Sequence, residues 1–229
     1  MTHSSGKIID LPELRNKKRV FTNRLEAGQV LASMLKEYEN TSALILAIPA
    51  GGVPVALSMG ETLNLAVSVS VVSKITLPWN TEVGYGAVAF DGTVRLNDSL
   101  LSRLRLTREQ IDEGIKHTLH KVQRRAERFS QKLPLPHLEN RTVFLVDDGI
   151  ASGFTLLTAV EAMQKAGVGS LNIATPTGHL ESIQRVSEQV DAIYCPNIRS
   201  GFFFAVADAY KRWSDIGEEE LFEMINRLE

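Results

Sequence analysis

Short apolar runs and stretches with apolar residues every third or fourth position alternate along most of this chain. Ala43–Ile48, Leu65–Ser73, Thr142–Val146, Leu171–Thr175 and Ala192–Cys195 have the length and bulk of buried strands. Helical spacing separates them. Asn23 to Glu26 has the N-x-x-E form of a capping box, and the helix it predicts puts Leu31, Met34 and Leu35 on one face. Further helices are predicted from about Val53 to Thr62, Phe154 to Ala166, Leu180 to Gln189 and, as an acidic helix, Gly217 to Leu228. A strand, a crossover helix and a second strand imply a parallel pair with a right-handed connection.

The rhythm breaks between Thr76 and Asn97, where Pro78, Trp79, Gly84, Gly86 and Asp91-Gly92 cluster. The Asp-Gly pair between Val88-Ala89-Phe90 and Val94 predicts a hairpin. From Thr107 to Ser130, Ile111, Ile115, Leu119, Val122, Ala126 and Phe129 share a helical face, and Arg108, Lys116, Arg124, Arg125 and Arg128 lie opposite. Such an arm can lie in a homodimer interface or fold back on its own core. The alternation elsewhere predicts an α/β fold, with a central, mostly parallel sheet flanked by helices. Ligands of such sheets bind beyond the carboxyl ends of the strands. The glycine-containing loops after Ile48 and Val146 sit on that edge.

Composition narrows the class. At 229 residues, 44% of them hydrophobic, the chain can bury one good-sized core with an appended subdomain. A net charge of −2 supplies no field for nucleic acid or anionic lipid. The single cysteine, Cys195, cannot form an internal disulfide and fits a reducing, cytoplasmic setting. Met1–Asp10 lacks the apolar core of a signal peptide, and no run approaches the roughly 20 apolar residues of a membrane span.

Candidate chemistry concentrates in Val143–Thr155. Four apolar residues run into Asp147-Asp148, then Gly149-Ile150-Ala151-Ser152-Gly153, then the helix from Phe154-Thr155. Small residues at a strand-to-helix turn let backbone N–H groups approach a phosphate, and the helix start favours its charge. Two adjacent acids exceed what a helix cap needs and suit a polyol or a metal-bound sugar. A ligand with a phosphate at one end and ribose hydroxyls beside it would use both halves.

Asp147 to Thr155 resembles the phosphoribosyl pyrophosphate signature of type I phosphoribosyltransferases. Phe21-Thr22-Asn23-Arg24, Ile48 to Pro54, Lys74-Ile75, Glu82 to Ala87 and the Phe203–Tyr210 tail resemble a bacterial subgroup of that family with no generally assigned acceptor. The resemblance implies one domain over residues 1–229. Its core would be about 40–75 and 140–197, with a flap and helical arm at about 76–138. A hood would come from about 1–38 and 198–229. It implies that Asp147 and Asp148 grip the ribose hydroxyls and steady the reacting ring. Gly149, Ile150, Ala151, Ser152, Gly153, Phe154 and Thr155 would hold the 5-phosphate. Ala50, Gly51 and Gly52 would hold pyrophosphate together with Lys74. Mg²⁺ would enter through the substrate, with Asp147 and Asp148 as candidate ligands. Partners would be phosphoribosyl pyrophosphate and a small nitrogenous base. Ala50 departs from the family, which usually has Arg there. Arg125 or Arg128 is a substitute if the arm leans over the cleft. The departure also keeps open a non-catalytic regulatory protein that binds phosphoribosyl pyrophosphate or a nucleotide.

Other residues carry less. Phe202, Phe203 and Phe204 are expected to pack the tail in preference to stacking on a base. His117 and His120 have no third ligand near them in sequence, so zinc is not expected. Glu82 would brace the flap or meet a metal. His179, near a helix start, reads as a cap or surface residue.

Overall fold

The computed structural model describes residues 5–226, apart from the side chains of residues 81 and 82; Glu82, expected to brace a flap, lies outside the described side chains. The central sheet has six strands, all parallel: β1 (Lys7–Ile9), β2 (Leu44–Ala47), β3 (Ala66–Val69), β7 (Thr142–Val146), β8 (Ser170–Ala174) and β10 (Ala192–Tyr194). Their spatial order is β1-β10-β8-β7-β2-β3. Alternation along each strand sorts the core into two layers. Ile45, Ala47, Phe144 and Val146 pack with α1 (Arg24–Met34) and α2 (Gly52–Leu63). Leu44, Leu46, Val143 and Leu145 face α5 (Phe154–Lys165) and α6 (Leu180–Ser187). Phe144, fully buried, meets the rings of Tyr38 and Tyr194 edge-on at 4.8 and 6.1 Å. The predicted α/β architecture is the one observed.

The apolar run Leu65–Ser73, read as one strand, is two. After β3 the chain leaves the central sheet at Ser70-Val71 and enters β4 (Val72–Leu77). That strand joins β5 (Asn80–Ala89) and β6 (Val94–Leu96) in an antiparallel sheet. Lys74 therefore lies inside β4, opposite Ala87, and not at a strand end. The irregular segment expected as a flap is paired backbone over most of its length. The hairpin at Asp91-Gly92 is present, with Gly92 at φ 86°. A short helix, α3 (Asp98–Leu101), leads to the arm α4 (Arg108–Ser130). Thr107 and Gln110 close a capping box on it.

The arm folds back on its own core. Val122 and Phe129 are buried, and Phe129 stacks on Phe222 of α7 (Glu218–Asn226) at 4.8 Å. Two further three-residue strands, β9 (Thr177–His179) and β11 (Asn197–Arg199), form a parallel pair beside the central sheet. The C-terminal segment then runs back along residues 19–22. Phe21 donates to the Ala209 carbonyl, Lys211 to that of Phe21 and Arg212 to that of Thr22. This short zipper carries Tyr210 and Trp213 to the start of α1.

Candidate active site

Beyond the carboxyl ends of β2 and β7 lies a cleft of about 360 Å³. Ala50, Gly51, Lys74 and every residue from Asp147 to Thr155 line it, so loops nearly 100 positions apart in sequence share one wall. Gly52, the remaining predicted residue, is buried behind that wall. A Cβ there would overlap the Val146 carbonyl oxygen and come within 3.0 Å of the Asp147 Cα. At position 51 it would overlap the Asp148 carboxylate. The two glycines thus exist because the loop after β2 presses directly on the aspartate pair. The peptide between Pro49 and Ala50 is cis.

The loop after β7 is held from outside. Ile150 exchanges backbone bonds with β9, donating to the Thr177 carbonyl and accepting from the His179 N–H, both at 2.9 Å. Ser182 donates to the Ala151 carbonyl at 2.5 Å, and Arg185 to that of Ser152 at 3.3 Å. Apart from the Ile150 N–H, these contacts engage the loop's carbonyls. Among the described residues, the N–H groups of Gly149, Ala151, Ser152, Gly153, Thr155 and Leu156 have no protein acceptor. Gly153, at φ 71°, sits at the N-cap of α5 with no side-chain cap. A glycine tolerates that left-handed backbone; the Phe154 N–H reaches Ser152 Oγ at 3.4 Å, and the amides of Thr155 and Leu156 in the first turn of α5 stay open. Open amides at a helix start form an anion site.

The aspartates are only partly exposed. Asp147 Oδ1 accepts from the Asp148 N–H at 2.9 Å. Burial raises both carboxyl pKa values. Asp147 is raised further by the neighbouring Asp148 charge, against which Lys74 acts. In Asp148 the Arg24 guanidinium opposes the effect of burial. Arg24 Nε meets Asp148 Oδ2 at 2.8 Å, with both side chains largely buried. Tyr210 donates its hydroxyl to the Asp148 carbonyl at 2.6 Å, and burial holds that phenol well above its ordinary value. Lys74 is exposed to the cleft and crosses β5 at Gly84, where a Cβ would stand 3.3 Å from its Cδ.

The cations proposed to replace an arginine at position 50 lie elsewhere. Arg125 pairs with Glu218 at 2.7 Å, and Arg128 stacks over Phe222 at 3.5 Å. The apolar and acidic faces of α7 engage both, and neither lines the cleft. The guanidinium that does line it belongs to Arg24, to which the sequence reading assigned no chemistry. A signal existed: Arg24 is the first residue of a helix, where the dipole disfavours a cation unless an anion compensates. Trp213, Asp215 and Ile216 also line the cleft and had no local signature. The phenylalanines depart from expectation as well. Phe202 and Phe203 are fully solvent-exposed, and only Phe204 packs, against Arg199 at 4.3 Å and His179 at 5.6 Å. His179 stands at an N-cap, but its ring contacts the Gly201 carbonyl instead of capping.

The lining carries Arg24 and Lys74 against Asp147, Asp148 and Asp215. No cluster of three or more metal-type side chains occurs among the described residues. Paired carboxylate oxygens beside open amides suit a hard cation arriving with a phosphorylated ligand.

The family model for the phosphoribosyl transferase domain matches residues 21–210. A Mycobacterium tuberculosis protein carrying the name "Putative phosphoribosyl transferase Rv0571c" is 31% identical over 209 residues, which are 91% of this chain and 47% of that protein. The chain therefore spans about half the length of the curated relatives it matches. The crystal structure of TT1426 from Thermus thermophilus superposes with a TM-score of 0.71 at 25% identity, covering 90% of this chain and 97% of that one. No helix among the described residues is long and apolar enough to cross a membrane.

Proposed function

Because this chain belongs to the phosphoribosyl transferase domain family, we propose that it moves a 5-phosphoribosyl group from phosphoribosyl pyrophosphate to a nitrogenous base and releases pyrophosphate. The observation that carries this reading is the meeting of open amides, an aspartate pair and Lys74 in one cleft. The amides of residues 151–153 and the first turn of α5 bind the 5-phosphate. Asp147 and Asp148 accept hydrogen bonds from the ribose hydroxyls. Gly51 and Lys74 face the pyrophosphate. In the reaction the bond from C1′ to the pyrophosphate oxygen breaks, and its electron pair leaves with pyrophosphate. The acceptor nitrogen supplies the pair for the new bond to C1′ and sheds its proton. As C1′ gains positive character, the nearby carboxylates stabilise it. The chain contributes position and charge and supplies no covalent nucleophile.

Side chains alone leave the cleft poor in cations: two against three carboxylates, with alanine at position 50. Mg²⁺ bound with the donor would neutralise pyrophosphate charge there, with Asp147 and Asp148 as its candidate protein ligands. Ala50 also favours a second reading, a regulatory protein that binds the same donor without turning it over.

One experiment separates the two. The protein is mixed with phosphoribosyl pyrophosphate, Mg²⁺ and each of a panel of purine and pyrimidine bases, and pyrophosphate release is followed. Base-dependent release supports the transferase. Donor binding with no release for any base supports the regulator, and absence of donor binding rejects both.

A further inference from the structure

Arg24 is engaged on three sides at once. Asn23 caps α1 by accepting from the Glu26 N–H at 3.0 Å, which fixes Arg24 as the first helical residue, facing the cleft. Its Nε meets Asp148 Oδ2 at 2.8 Å. Its Nη1 donates to the Ser214 carbonyl at 2.9 Å. Its guanidinium lies 3.8 Å from the centre of the Trp213 ring. The side chain is 11% exposed, so these contacts are made out of bulk water, where each counts for more. On the other side of the cleft's end wall, Arg24, Trp213 and Ile216 also line a second cavity of about 310 Å³. The stacked pair borders both spaces.

We propose that Arg24 is a positioning residue that locks Asp148 and the 210–216 wall into one unit, so that a ligand engaging Asp148 is felt at Trp213. The inference rests on the donor reading above. Its physical basis is the shape of the guanidinium. A planar fork can pair with a carboxylate through Nε, donate sideways through Nη1 and stack on an indole together; an ammonium cannot do all three. Tyr210 adds a second tie, since its hydroxyl bonds the Asp148 carbonyl at 2.6 Å from the same segment. A hydroxyl that donates to the Asp148 carboxylate draws on the same negative charge that Arg24 pairs with through Oδ2. Weakening that pair shifts the guanidinium, and the indole 3.8 Å from it reports the change.

The chain has two tryptophans, and Trp79 is 64% exposed and outside the cleft. A Trp79→Phe background therefore leaves Trp213 as the sole indole reporter. This background, alone and with Arg24→Lys or Arg24→Ala, is titrated with phosphoribosyl pyrophosphate and Mg²⁺. Binding is read by calorimetry, Trp213 emission by fluorescence and folding by circular dichroism. In the background, binding is expected to shift Trp213 emission. Arg24→Lys keeps a cation near Asp148 and should bind within about threefold of the background, yet lose the emission response. Arg24→Ala should lose the response and at least about tenfold in affinity. If the alanine variant does not fold, the lysine variant decides. Donor binding without any change at Trp213 in the background, or variants that keep the change, overturns this inference alone. A background protein that fails to bind the donor removes the donor reading and this inference with it.

Discussion

Gly51→Ala tests how closely the two loops must fit. Gly51 has φ −62° and ψ −33°, a helical backbone that alanine adopts freely. On backbone grounds alone the change would stabilise the fold by about 0.4–1 kcal/mol. The side chain of Asp148 reverses that sign. A Cβ at position 51 would overlap Oδ2 and Cγ of Asp148, and even the third-nearest atom, Oδ1, would lie 2.8 Å away. The carboxylate cannot yield in place, because Arg24 holds Oδ2 at 2.8 Å and Tyr210 holds the Asp148 carbonyl at 2.6 Å. It must swing out and leave Arg24 without its carboxylate partner. Breaking a buried ion pair costs about 3–5 kcal/mol, and this pair is largely rather than wholly buried. A net loss of about 2 kcal/mol in urea unfolding follows after the alanine gain. Donor binding loses a charge-assisted hydrogen bond of about 1.5–3 kcal/mol, or roughly 10- to 100-fold in Kd by calorimetry. The double variant Gly51→Ala/Asp148→Ala removes the overlap. It should be no less stable than Asp148→Ala alone while donor affinity stays low, a non-additivity expected only of residues in contact. Gly51→Ala with unchanged urea midpoint and donor affinity within twofold of the parent would refute the reasoning.

Three further outcomes are expected. Phe144→Ala empties the fully buried site between Tyr38 and Tyr194 and should cost about 3–5 kcal/mol, seen as a lower urea midpoint at unchanged slope. Replacing both exposed phenylalanines, Phe202→Ser with Phe203→Ser, should change stability by no more than about 0.5 kcal/mol; a larger loss means the loop packs in solution. Glu26 accepts from the Thr22 N–H, which lowers its carboxyl pKa in the folded state. Its contribution is thus complete above the ordinary glutamate value of about 4.3 and fades as pH falls through the folded value. The stability gap between the parent and Glu26→Gln should therefore close below pH about 4, and a gap that stays constant from pH 7 to 3 contradicts the assignment.

Much of this protein is written locally. The run Thr142–Val146 matches β7 residue for residue, and α5 begins at Phe154 as predicted, because a buried strand, a small-residue turn and a helix start each leave a short-range pattern. The same holds for Asn23 as a cap and Asp91-Gly92 as a hairpin turn. The site loops were legible for that reason: open amides and adjacent acids are properties of a few consecutive residues. What could not be read were the long-range pairings. Nothing near Ser70-Val71 marks where an apolar run leaves one sheet for another, since β3 and β4 differ only in their partners. The three-residue strands β1, β9 and β11 exist through hydrogen bonds to distant segments. Arg125 and Arg128, which the helical pattern leaves free to face the cleft, are turned to α7 by packing at the far end of the chain. Arg24 finds Asp148 across 124 positions. Backbone period and turn chemistry act over a few residues, whereas the choice of which faces meet is made by the collapse of the whole chain. Short-range chemistry supplies the parts of the cleft, whereas chain-wide packing brings in Arg24 and the segment around Trp213 to complete it.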